Sequence, residues 1–330
     1  MNPDTLVTLD DVLSARERIG DAVRATPLVP APWPVADGRP QMDAPDRIWL
    51  KCENLQWVSA FKARGAHHFV GKLSPDQRAT GLITYSSGNH AQAVAFTARS
   101  FGVSARIVMP VDAPIVKREA TVALGAEVEF VGTTSAERKA RAEEILANEG
   151  GTMVPPFDDP DIIAGQGTVG VELVEQLRDR RVGTVLAPIG GGGLLAGVAA
   201  AVRGLAPDAR VVGVEPQGAA SMLRSIESGS PVTLDRVETV ADGLKPVRPG
   251  DLTYRHARDL VDQVVTVDDG SIRDAVRWLF ARRLVVEPSG AATVAALMAG
   301  AVEASVDGET VAVLSGGNIE PSLLIEWLGG

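Results

Sequence analysis

The chain has 330 residues, 45% apolar and 22% charged, with 34 Gly and 21 Pro, which suits one large or two ordinary soluble domains rich in turns. Its net charge of −10, with no Lys/Arg cluster shaped for a phosphate backbone, excludes nucleic acid as a partner. One cysteine, Cys52, excludes an internal disulfide and a Cys-based zinc cluster, and four histidines without an H-E-x-x-H leave a catalytic zinc unsupported.

Cys52 adjoins the strand-like Ile48-Trp49-Leu50 and reads as a small buried hydrophobe. Met1–Thr5 lacks a basic region followed by an apolar stretch, and no apolar run is long enough to span a bilayer, so the expectation is a cytoplasmic enzyme without membrane contact.

In chain order, apolar spacing predicts a helix from Leu9 to Val23 with Thr8 or Asp10 as N-cap. Thr26–Pro30 reads as extended chain, since residues before proline avoid the helical region, and the proline-rich Pro30–Pro45 stretch reads as a surface loop. Strand character returns at Arg47–Lys51 and helix character at Phe61–Lys72. A βαβ series follows, with strands at Leu82–Tyr85, Ala105–Met109, Glu127–Val131 and Thr152–Val154. Between them lie helices at His90–Phe101, Pro114–Leu124 and Ser135–Asn148, with Pro114 in a first turn and Gly125 at a helix end. The chain continues with a helix at Asp161–Arg180, a strand at Val182–Ala187 and a small-residue helix from Leu194. Strands are expected at Arg210–Glu215, Asp262–Val267 and Thr310–Leu314, and helices at Ala219–Ser228, Asp269–Leu284 and Ser289–Gly300. The fold class is therefore α/β with two parallel-sheet units, a small one over residues 80–153 inserted into a large one made of residues 1–79 and 154–330.

Three small-residue loops fall at strand ends, where open α/β sheets bind ligands: Ser86–Asn89, Gly190–Gly193 and Ser315–Asn318. A strand running through Gly190-Gly191-Gly192-Gly193 into a helix at Leu194 builds an anion site, because glycines let several N–H groups and the helix N-terminus converge. Gly191-x-Gly193-x-x-Ala196 also satisfies the dinucleotide fingerprint, with Glu215 placed as a ribose-binding acid. Alone, the loop supports either a nucleotide or a simpler phosphate ligand.

Lys62 heads an expected helix, preceded by Phe61 and followed by Arg64-Gly65-Ala66. A helix N-terminus and a nearby guanidinium both disfavour another positive charge, so its amine should titrate low. A neutral amine can form a Schiff base with an aldehyde and serve as a base.

Together these segments resemble the serine/threonine dehydratase family of fold-type II pyridoxal-phosphate enzymes, which includes threonine ammonia-lyase and serine racemase. Ala60-Phe61-Lys62-Ala63-Arg64-Gly65 is similar to the family's lysine motif. Ser86-Ser87-Gly88-Asn89-His90 is similar to its substrate-carboxylate loop, Gly190–Leu194 to its phosphate loop, and Ser315-Gly316-Gly317-Asn318 to its pyridine-nitrogen loop. Ile163–Thr168 and Val286-Glu287-Pro288-Ser289-Gly290 are similar to further family segments. The dinucleotide reading accounts for only one of these matches. The resemblance implies pyridoxal 5′-phosphate held by Lys62, with Phe61 and Glu287 beside it and Gly190, Gly191, Gly192, Gly193 and Leu194 on its phosphate. It places Asn89 on the ring hydroxyl, Ser315 at the ring nitrogen, and the substrate on Ser86, Ser87, Gly88, Asn89 and His90.

The implied reaction is β-elimination from a hydroxy-amino acid, threonine or serine, giving a 2-oxo acid and ammonia. A serine at the ring nitrogen weakens the electron sink and favours that outcome. Ser87, where threonine dehydratases often carry alanine, could supply a second proton-transfer group opposite Lys62, which keeps serine or 3-hydroxyaspartate racemisation as the alternative. A silent cofactor-binding relative is the reading that an intact Lys62, Asn89 and glycine loop oppose. The resemblance also implies a homodimer and a Mg²⁺ or Ca²⁺ site at Glu215, Ala219 and residue 221. Ser221 stands where an acid is expected, so that set is one charge short. Val58-Ser59-Ala60 stands where the family commonly has Thr-Gly-Ser, and Pro155-Pro156-Phe157 is individual to this chain.

Overall fold

A capping box opens the first helix, Leu9–Ile19: the Thr8 side chain accepts from the Asp11 N–H, and the Asp11 carboxylate accepts from Thr8 N. The computed structural model describes residues 5–31, 47–86, 88–113 and 115–329. The Pro30–Pro45 loop falls almost wholly outside these residues, as do Ser87 and Pro114.

Ten strands follow in order: β1 (Leu28–Pro30), β2 (Ile48–Cys52), β3 (Leu82–Tyr85), β4 (Ala105–Met109), β5 (Glu127–Phe130), β6 (Thr152–Met153), β7 (Val182–Pro188), β8 (Arg210–Pro216), β9 (Gln263–Val267) and β10 (Glu309–Leu314). Six form one sheet in the order β1-β2-β10-β7-β8-β9, and four form another in the order β5-β4-β3-β6. All pairings are parallel except β1 with β2. The early segment does join the glycine-loop sheet, through β10, which sits between β2 and β7.

Alternation along β10 shows why the large sheet is covered on both faces. Val311 and Val313 pack on one side with Val185, Leu195 and Val198, while Ala312 and Leu314 pack on the other with Ala291 and Ala295. The small sheet has its own core, in which Leu82, Ile107 and Met109 meet Val94 and Ala98 of the Asn89–Phe101 helix. Helices Pro160–Leu177 and Gly193–Leu205 cross closely: a Cβ on Gly197 would meet Ile163 O at 2.3 Å and Gly167 N at 2.4 Å. The small-residue pattern after the glycine loop is therefore a packing requirement.

Three short helices depart from the expected order. Pro75–Ala79 carries a Ser74/Gln77 capping box with Pro75 in its first turn, a signal present in the sequence. Asp251–Leu260 is started by a distant residue: the Asp158 carboxylate accepts from the N–H groups of Asp251, Leu252 and Thr253. Pro321–Trp327 follows the last strand.

Candidate active site

The three small-residue loops all emerge from the carboxyl ends of strands, after β3, β7 and β10. Lys62 is brought to the same edge because Phe61 N donates to Ser315 O at 3.1 Å and Ala60 bridges Gly316. It is the first residue of the helix Lys62–Lys72. Its Nζ donates to Pro156 O at 2.5 Å and lies 5.1 Å from the Phe61 ring centroid.

Burial pushes the Lys62 amine down to about 8. The direction matches expectation, but Arg64 is not its cause. That guanidinium is fully buried and turned away, with bidentate hydrogen bonds to Glu53 and further bonds to Glu172, Thr168 Oγ1 and Arg24 O. Lys51 completes a neutral quartet by donating to Glu172 at 2.7 Å. A guanidinium so paired projects little field toward Lys62.

The glycine loop is tightly walled. Gly192 has φ +96°, and a Cβ on Gly191 would meet the Phe157 ring at 2.3 Å. On Gly190 it would meet Gly243 O at 2.8 Å. Among the described residues, no backbone N–H from Gly190 to Leu195 donates to a protein acceptor; the ladder resumes at Ala196 N to Gly192 O. A helix start alone leaves its first-turn donors free; here the run extends back through three glycines. Such a cradle fits a phosphate. The dipeptide Pro156-Phe157 joins it to Lys62, one residue taking the amine and the next lying against Gly191 and Gly193.

Asn89 begins the helix Asn89–Phe101 and is held from both sides, its Nδ2 donating to Glu287 Oε1 at 2.5 Å and its Oδ1 accepting from Asn318 Nδ2 at 2.8 Å. Ser86 Oγ accepts from Gly88 N at 3.3 Å. Ser315 is buried at the end of β10. His90 lies behind the loop: its Nε2 pairs with Val154 O at 3.1 Å, and burial, helped by the Lys62 charge, pushes it down to about 3. Its ring backs the loop and acts as neither acid nor base near neutral pH. Ser87 lies outside the described residues.

Glu215 and Ser221 come together, with Ala219 in the short turn between them, but their contacts do not fit a cation site. Glu215, next to last in β8, caps the helix Ser221–Ser228, accepting from Met222 N at 2.8 Å and Leu223 N at 2.9 Å. Burial raises its carboxyl to about 7. One carboxylate with both oxygens engaged does not fit Mg²⁺ or Ca²⁺, which want several hard oxygen donors. The same capping contacts also take Glu215 away from any ribose.

Lys117 and Asp242 are not singled out by the sequence. Lys117 Nζ is hydrogen-bonded to Asp242 Oδ2 and stands 3.8 Å from Glu287 Oε2. No local pattern marks a lysine inside an amphipathic helix as buried. Among the described residues, no helix is long and apolar enough to cross a membrane.

Residues 19–316 match the family model described as "Pyridoxal-phosphate dependent enzyme". The catabolic L-threonine dehydratase TdcB of Escherichia coli strain K12 is 37% identical, over 99% of this chain and 97% of that protein. The serine racemase of Schizosaccharomyces pombe is 38% identical, over 96% and 95%. Among solved structures, maize serine racemase superposes with a TM-score of 0.88 at 33% identity, covering 98% of this chain and 97% of that one. The processed form of threonine deaminase isoform 2 from Solanum lycopersicum gives 0.85 at 35% identity, covering 97% and 87%. The free amides of the glycine loop, the low-titrating Lys62 and these matches over nearly the whole length agree: the chain belongs to the pyridoxal-phosphate dependent enzyme family, in its fold-type II branch.

Proposed function

We propose that the protein is a pyridoxal-phosphate dependent ammonia-lyase that removes the β-hydroxyl and amino group of a small hydroxy-amino acid, L-threonine or L-serine, to give a 2-oxo acid and ammonia. The observation that carries this reading is the joining of Lys62 to the glycine loop through Pro156-Phe157. Bound between them, pyridoxal phosphate supplies the electron sink that acidifies the substrate Cα–H.

The chain's own residues then divide the work. The amides of Gly190–Leu194 hold the phosphate. Lys62, already low-titrating in its buried setting, takes the α-proton. Phe61 flanks the ring, and Asn89, fixed between Glu287 and Asn318, presents its amide to the ring hydroxyl. Ser315 would offer the ring nitrogen a neutral partner, so the bound cofactor would supply a weaker electron sink. Ser86, Gly88 and the start of the Asn89 helix receive the substrate carboxylate, with Ser87 between them.

Residues 80–153 form the smaller body and residues 1–79 with 154–330 the larger, a division supported by the two separate sheets. The protein acts in the cytoplasm as a homodimer. The relatives named as threonine dehydratase and serine racemase support the substrate class. Ser87, a hydroxyl residue in the substrate-loop sequence, favours racemisation as a second activity.

The decisive experiment assays the cofactor-loaded protein for 2-oxo acid release from threonine, serine and both 3-hydroxyaspartate diastereomers. Threonine or serine should be turned over, and Lys62→Ala should lose both turnover and the visible absorbance of the bound cofactor. Ser87→Ala should remove racemisation while sparing elimination. Absence of 2-oxo acid from every substrate, with cofactor bound, overturns the reading.

A further inference from the structure

Lys117 lies on the helix Ile115–Ala123, beside the small sheet, yet only 4% of it is exposed. A lysine is rarely so buried unless paired. Its ammonium is shared between two carboxylates on other elements: Asp242, in the turn Asp242–Leu244, and Glu287, at the start of the helix Pro288–Met298. Its stem runs along Gly88 of the substrate loop, where a Cβ would meet Lys117 Cδ and Nζ at 3.6 Å.

Both carboxylates lead to the site. Behind Asp242, Gly243 N donates to Ser289 Oγ at 2.8 Å, and Gly243 O backs Gly190 of the glycine loop. Glu287 accepts Asn89 Nδ2 through Oε1, while its buried Oε2 has no hydrogen bond and faces the Lys117 ammonium at 3.8 Å. Asn89 is thereby oriented. Its oxygen must face Asn318 Nδ2, so its nitrogen must face Glu287, and that requires Glu287 to accept. A protonated Glu287 that donated through Oε1 would compete for the Asn89 oxygen and break the pairing with Asn318.

We propose that Lys117 is a positioning residue: its ammonium holds Glu287 as a carboxylate, Glu287 fixes the orientation of Asn89, and the same ammonium fastens the Ile115–Ala123 helix to the turn behind the glycine loop. The proposal rests on the reading of Asn89 as a cofactor-binding residue. The charges around it agree. Burial raises the Glu287 carboxyl above its ordinary range, the Lys117 ammonium opposes that rise and Asp242 adds to it. Facing Lys117 are Glu287, Asp242 and, more distantly, Glu320.

Opposite shifts from two substitutions provide the test. The pH dependence of the pyridoxal-phosphate dissociation constant is measured by equilibrium binding, and that of kcat/KM with threonine by 2-oxo acid release. Lys117→Met should move the acid limb of both profiles to higher pH by about one unit, because an opposite charge is lost. Asp242→Asn should move it to lower pH, because a like charge is lost and Lys117 turns fully to Glu287. Lys117→Arg should restore the wild-type limb. Shifts in the same direction, or lowered stability with the acid limb unmoved, would overturn the proposal. If Lys117→Met fails to fold, Asp242→Asn and Lys117→Arg still decide it by the direction of the limb. The binding arm also separates the two hypotheses: a protein that binds the cofactor but releases no 2-oxo acid refutes the proposed function and still reports on Lys117.

Discussion

Lys62 donates its amine to the carbonyl oxygen of Pro156 at 2.5 Å, a neutral partner for a group that burial holds down to about 8. An ammonium satisfied by a carbonyl alone costs stability. In the cofactor-free protein, the unfolded chain keeps the Lys62 proton up to its ordinary value while the folded chain sheds it from about 8. Stability from this group therefore rises as pH climbs from about 8 toward the ordinary lysine range, and the penalty is fully present below 8. Lys62→Met should flatten that rise and make the cofactor-free protein more stable at pH 7 by roughly 1–3 kcal/mol. Urea midpoints at pH 7 and pH 10 measure both effects, and equal pH dependence in the two proteins would contradict the burial account.

Arg64 has the opposite character. It is fully buried, with Glu53 and Glu172 on its guanidinium and Lys51 balancing the second carboxylate. Arg64→Met strands the buried Glu53 and should cost about 3–5 kcal/mol, read as a lower denaturation midpoint. A loss under about 1 kcal/mol would mean the quartet is not the anchor of the Lys62 helix.

The turn before Lys62 carries two non-glycine residues in the left-handed region, Val58 at φ 53° and Ser59 at φ 51°. They are held there by Asn318 Nδ2 on Val58 O and Gly317 N on Ser59 O. Val58 also packs into two apolar clusters, so its side chain is needed. Ser59 has no such role, and Ser59→Gly removes the left-handed penalty against a smaller entropic loss. Thermal unfolding should show a gain of about 0.5–1 kcal/mol, and a loss would mean the serine hydroxyl contributes to the turn.

Gly191 and Phe157 can be tested as a pair. Gly191→Ala drives a methyl into the Phe157 ring and should weaken pyridoxal-phosphate binding more than tenfold. Adding Phe157→Ala removes the obstacle and should recover part of the loss, giving a coupling of at least about 1 kcal/mol in a double-mutant cycle. Strict additivity would show that the methyl acts on the phosphate directly.

Elements with strong local signals were legible: β3 and β4 fall at the expected residues, and the loops after β3, β7 and β10 meet at one sheet edge. What escaped depends on partners far along the chain. The Asp251–Leu260 helix is capped by Asp158, 93 residues earlier, and nothing near Asp251 announces it. Arg64 sits two residues from Lys62, so proximity in sequence suggested a field that Glu172, 108 residues away, largely cancels. Lys117 acquires its role only when Asp242 and Glu287 fold against it.

Ser221 offers the last test, because one atom set separates a capped helix from a cation site. Glu215 already spends both oxygens on Met222 N and Leu223 N, and the buried Ser221 Oγ has no hydrogen-bond partner. In the wild-type protein, chelation followed by Mg²⁺ or Ca²⁺ should leave the melting temperature unchanged. Ser221→Asp places a second carboxylate beside a buried acid whose titration is already raised to about 7. Without cation that like-charge contact should lower stability by about 2 kcal/mol, and millimolar Mg²⁺ or Ca²⁺ should restore it in proportion to the logarithm of its concentration. A cation-dependent rise in the wild-type melting temperature would show that Glu215 leaves its helix cap to bind metal, and the donor set would have to be redrawn around backbone oxygens.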